Sequence, residues 1–105
     1  MTEDNRYAPR YRYHCYATVK TTGSQLDAHL VNVSSTGVLL AILDEHQLKA
    51  GESLEIAIHP DEGDPILLVG VVIHSRDHYV GLECSTLNQA ERVKLENLLD
   101  SCEND

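Results

Sequence analysis

Apolar residues recur at every second position in one short segment after another, and this two-residue period is what most restricts the chain. In an extended strand, side chains point alternately to opposite faces, so the period builds half-buried sheet and is at odds with a helical core. YHCYATVK at 13–20 alternates in this way and carries β-branched and aromatic residues. TTGS supplies a turn, after which Leu26, Ala28 and Leu30 alternate with polar neighbours through 25–33. SSTG is followed by a nearly continuous apolar run at 38–43, and Leu54, Ile56 and Ile58 alternate again. HPDEGDP reads as a loop of turn formers, ILLVGVVI at 66–73 as a long apolar strand, SRDH as a turn and YVGLEC at 79–84 as a sixth strand. Six short strands at regular spacing predict a barrel or a sandwich, and we take a six-stranded antiparallel β-barrel as the expected, mainly-β architecture.

From Leu87 the period changes. Leu95, Leu98, Leu99 and Cys102 fall at i, i+3, i+4 and i+7 with charged residues opposite, which predicts a C-terminal α-helix closing or flanking the barrel. Thr86 with Gln89 three residues later has the form of a capping box and places the helix start there. With 105 residues there is material for one hydrophobic core. The expected organisation is a flexible N-terminal arm at 1–12, then barrel plus helix at 13–102, with a polar end beyond. The chain has no apolar run of about 18 residues, and MTEDNRYAPR lacks the apolar region of a secretory signal. We therefore expect a cytoplasmic protein without membrane insertion. Cys15, Cys84 and Cys102 are odd in number and form no CxxC pair, so reduced thiols are expected.

Charge is uneven along the chain. Seventeen acidic residues against eight basic give a net charge of −9. Residues 1–20 nevertheless carry Arg6, Arg10, Arg12 and Lys20 against only Glu3 and Asp4. So acidic a body repels a long polyanion such as duplex DNA, whereas a local arginine cluster can still hold a compact anion. RYAPRYRYHCY, residues 6–16, contains three of the eight basic residues and four of the five tyrosines. Pro9 biases Ala8 away from the helical region, and in an extended chain Arg6, Arg10, Arg12 and His14 share one face while Tyr7, Tyr11 and Tyr13 share the other. Guanidinium forks so presented suit bidentate contact with phosphate or with the O6/N7 edge of guanine. A solvated basic tail with padding tyrosines is the bland alternative. NVSSTG at 32–37 lies between two expected strands. There Asn32 and Ser34 are expected on one strand face, with an amide that can read a base edge and a hydroxyl that can meet phosphate. Gly37 would take positive φ or allow close approach of a ligand. As structure alone, NxSxxG is ordinary turn chemistry.

Arg6-Tyr7-Ala8-Pro9-Arg10 followed about twenty residues later by Asn32-Val33-Ser34-Ser35-Thr36-Gly37 resembles the PilZ domain family, whose signature is RxxxR in an N-terminal arm and (D/N)xSxxG on a following strand. The similarity extends through KAGESLEI, GVVIHS, YVGLEC and the terminal helix. It implies a six-stranded barrel that receives the bacterial second messenger cyclic di-GMP, with Arg6, Arg10, Asn32, Ser34 and Gly37 as the carried-over motif residues. Arg12 lies outside both motifs and joins them only by charge and parity. Many family members carry two adjacent arginines where this chain has Asn5 and Arg6. The expected function is a non-enzymatic receptor and adaptor that binds cyclic di-GMP and relays its level to a protein effector controlling motility, adhesion or biofilm formation. One rival is a PilZ-like protein-interaction module that binds no nucleotide; another is a single-stranded nucleic-acid binder stacking bases on Tyr7, Tyr11 and Tyr13, which the acidic body disfavours.

Other chemistry is weaker. His74 and His78 have metal-like spacing only on a helix, and VVIHSRDHYV reads as a hairpin. Cys84 and Cys102 fall at positions typical of small buried hydrophobes, and Asp61, Glu62 and Asp64 lack the order of a calcium loop. No metal, cofactor or catalytic arrangement is expected.

Overall fold

The computed structural model of the chain describes residues 10–42 and 48–102. Six strands follow one another in sequence: β1 (Tyr11–Thr21), β2 (Ser24–Val33), β3 (Gly37–Ala41), β4 (Ser53–His59), β5 (Ile66–Arg76) and β6 (Tyr79–Thr86). One helix, α1 (Gln89–Ser101), comes last. Every pairing is antiparallel, and the strands close into a barrel in the order β1-β2-β3-β6-β5-β4. The expected mainly-β barrel with a C-terminal helix is the observed fold. Its interior is built from one face of each strand, and Val19, Leu30, Leu40, Ile56, Ile58 and Val80 are fully buried. Inside, space is short. A Cβ added at Gly70 of β5 would lie 2.8 Å from Cys84 Sγ and 3.0 Å from Ile56 Cδ1, so a glycine occupies that inward position.

Several boundaries differ from the sequence expectation. β1 begins at Tyr11 rather than 13, which brings Arg12 into the sheet opposite Asn32. β5 continues to Arg76, past Ile73, because His74, Ser75 and Arg76 pair with Gly81, Val80 and Tyr79. Residues 1–9 of the expected arm, Arg6 and Tyr7 included, lie outside the described residues.

The helix cap is also corrected. Thr86 does not cap α1, because it pairs with Leu68 as the last residue of β6. Leu87 N–H still donates to the Leu67 carbonyl, 3.3 Å, so the sheet holds this part of the chain until Asn88. Asn88 is extended (φ −158°, ψ −177°) and its Oδ1 accepts from the Glu91 N–H at 3.1 Å, which satisfies one of the orphan donors of the first turn. Glu91, buried, accepts from the Leu67 N–H at 2.9 Å and from Lys94 Nζ at 3.2 Å, and Lys94 also donates to the Pro65 carbonyl. That Leu67 N–H, with Lys94 adding to it, holds the Glu91 carboxyl below its ordinary pKa against the opposing effect of burial. Leu95 and Leu98 complete the core at this end, so α1 flanks the barrel beside the start of β5.

Candidate functional site

β1 and β2 set the site, and an irregularity in their pairing aims it. Arg12 pairs with Asn32, but three residues later Cys15 pairs with Leu30, so two residues of β1 oppose Val31 alone. Against β3 the extra residue is Val31 itself, because Leu30 pairs with Leu40 and Asn32 with the adjacent Leu39. An extra residue in one strand reverses the alternation beyond it. Ala28 and Leu30 point into the barrel, and without the slip Asn32 would follow them. Instead Val33 is buried and Asn32 stands part-exposed on the outer side.

There it meets the arginines. Arg10 donates from Nη1 to Asn32 Oδ1 at 2.8 Å, a contact across 22 residues of sequence. Arg10, Arg12, His14, Val31 and Asn32 line an open concavity of about 510 Å³. Of the face expected for Arg6, Arg10, Arg12 and His14, the last three lie together, Arg12 and His14 on β1 and Arg10 just before it, while Arg6 lies outside the described residues. His14 also packs edge-on against His29, with ring centroids 5.6 Å apart. His29 was missed as a neighbour of the site, although its outward parity in β2 follows from the alternation with Ala28 and Leu30. Among the described residues, no acidic side chain lines the concavity. Two guanidiniums with donors to spare, beside an amide whose NH₂ remains a donor, can grip an anion and read a purine edge.

Ser34 and Gly37 are placed differently from the expectation. Asn32 and Ser34 do not share a strand face, because β2 ends at Val33 and Ser34 opens the turn. Ser34 is 3% exposed, its Oγ accepts from the N–H groups of Thr36 (3.2 Å) and Gly37 (3.1 Å), and its own N–H donates to the Gly37 carbonyl at 2.9 Å. Gly37 is not a positive-φ glycine. The close approach there is made by β6: a Cβ on Gly37 would stand 2.6 Å from the Leu82 carbonyl oxygen. The cross-link is completed by the Cys84 N–H, which donates to the Thr36 carbonyl at 2.8 Å. In this motif, then, the serine and glycine build the turn that fixes the end of β2, while the asparagine faces the arginines.

The other candidates fall apart in space. The His74 ring packs over Gly81, and His78 sits in the turn after β5. Among the described residues no three metal-ligating side chains come together. Burial pushes the Cys15 thiol up to about 11 and the Cys84 thiol up to about 12, the reverse of an activated nucleophile. A second concavity, about 520 Å³, lies between α1 and the loop after β4, but Asp61, Glu62 and Asp64 at its edge oppose an anion. Among the described residues, no helix is long and apolar enough to cross a membrane.

Comparison with known proteins agrees with this architecture. The model of the PilZ domain family matches residues 4–101. Among solved structures, the Bacillus subtilis inhibitor of motility, MotI/DgrA, superimposes with a TM-score of 0.71 at 16% identity, over 94% of this chain and 53% of that one. The chain therefore spans about half the length of that protein. No curated protein matches it.

Proposed function

Because the chain belongs to the PilZ domain family, we propose that it is a receptor for cyclic di-GMP that passes the second-messenger level to a protein effector. The observation that carries the proposal is the contact of Arg10 with Asn32: the two family motifs, far apart in sequence, converge at one concavity. Cyclic di-GMP combines two phosphodiester charges with two guanine edges in a compact ring. Arg10 and Arg12 supply forks for both features, Asn32 supplies an amide for a guanine edge, and Arg6, next in the motif, supplies a third guanidinium. The 2.8 Å contact holds Arg10 and Asn32 in register. Ser34 and Gly37 serve binding through the turn that presents Asn32. The likeness in fold to a protein described as an inhibitor of motility fits an adaptor in motility, adhesion or biofilm control.

Calorimetric titration of the chain with cyclic di-GMP, GTP and a short single-stranded oligonucleotide tests the reading. Saturable binding of cyclic di-GMP alone is expected. Absence of binding would favour the interaction module without a nucleotide, and preference for the oligonucleotide would favour base stacking.

A further inference from the structure

β5 is apolar on both faces. Ile66, Leu68 and Val72 fill the barrel, while Leu67, Val69, Val71 and Ile73 lie outside with exposures of 40%, 37%, 37% and 54%. Leu87, hydrogen-bonded to Leu67 and itself exposed, extends the stripe. An antiparallel strand with one solvated face ordinarily alternates apolar and polar residues, so a stripe of this length marks a contact surface. Acidic residues stand on both sides of it: Glu55 of β4 pairs with Val69, and Glu83 of β6 pairs with Val71, both exposed. The cation Lys20 of β1 is opposite Glu55 and lines the same hollow as Leu67, Val69 and Leu87, so the Glu83 side of the stripe is the more acidic one.

We propose that this stripe docks a protein partner through one amphipathic α-helix whose apolar face is bordered by lysine or arginine. It extends the effector half of the reading above and is testable without nucleotide. The described strands form a closed barrel, so no free edge invites an added strand, and a partner must pack on the face. Seven residues of strand span about 20 Å, which a helix of about four turns covers. A second copy of the chain fits poorly, because facing stripes would bring Glu55 and Glu83 into acidic surroundings. Five part-exposed side chains also fall well short of the roughly 20–30 residues a side of a standard interface.

The test is a ¹⁵N NMR titration of the nucleotide-free chain with an amphipathic helical peptide built from two repeats of LKKLLKL, and with its LEELLEL counterpart. We expect the basic peptide to shift residues 67–73 together with Glu55 and Glu83, the acidic one to leave them unmoved, and the isosteric V69T/V71T variant to bind about tenfold more weakly with an unchanged spectrum elsewhere. Shifts centred on Asp61–Asp64, or equal binding by the variant, would overturn the proposal. So would concentration-dependent broadening of the stripe without peptide, since that would assign it to a second copy. A chain that binds the basic peptide here but not cyclic di-GMP would keep this inference and lose the receptor.

Discussion

Arg10 reaches Asn32 because Val31 shifts the register of β2, and that single extra residue turns an inward position outward. The arginines were legible in the sequence by charge and parity, whereas Asn32 was reached only through the resemblance of its motif, since the alternation of β2 alone would have turned it inward. The roles of Ser34 and Gly37 were not legible, because they depend on where β2 ends and on how closely β6 passes, neither of which is a local property. Gly37→Ala would press a methyl group against the Leu82 carbonyl oxygen, so we expect a loss of about 1–3 kcal/mol, the range for overpacking, read as a lower denaturation midpoint. If alanine left the midpoint unchanged, the glycine would be kept for the ligand and not for β6. Cys15 and Cys84 should resist iodoacetamide at pH 8 in the folded chain and react once it is unfolded, because burial keeps both protonated there. Rapid labelling of either in the native protein would contradict its placement.

At the scale of elements, β1, β2 and β4 were readable since one face is buried and the period of two survives in their sequence, while β3 and β5 were readable as short apolar runs bounded by turn formers. The start of α1 was not. Thr86 with Gln89 and Asn88 with Glu91 both match a cap followed three residues later by Gln or Glu, and the choice is made by the pairing of Thr86 with Leu68 across the sheet. Asn88→Ala should therefore cost about 1 kcal/mol, while Thr86→Val, which suits a strand, should leave thermal unfolding nearly unchanged. The opposite order would restore the cap to Thr86. Leu98→Ala, deep in the contact of α1 with the barrel, should cost about 2–5 kcal/mol. Glu91 gives the element a pH signature. Its pKa is lower folded than unfolded, so its contribution is fully present above the ordinary carboxylate range and is lost as pH falls through the lowered value. Acid titration of stability should be shallower below about pH 4 in Glu91→Gln than in the parent, and identical curves would show that the carboxylate does not stabilise the fold.

At the scale of the molecule, the barrel is a scaffold that holds a small cationic concavity on a chain of net charge −9. That contrast suits a compact anion and disfavours a long one, and the proposed receptor role would depend on a few guanidiniums. On the reading proposed above, cyclic di-GMP binds where Arg10 and Asn32 meet. The most direct test is calorimetric: the affinity of Arg10→Ala for cyclic di-GMP beside that of the parent, with the unfolding midpoint of each. Removing one charge-assisted contact should weaken binding by about 1–3 kcal/mol, roughly 5- to 150-fold, with the midpoint nearly unchanged because Arg10 lies outside the core. Equal affinity in the two proteins would place the ligand away from Arg10.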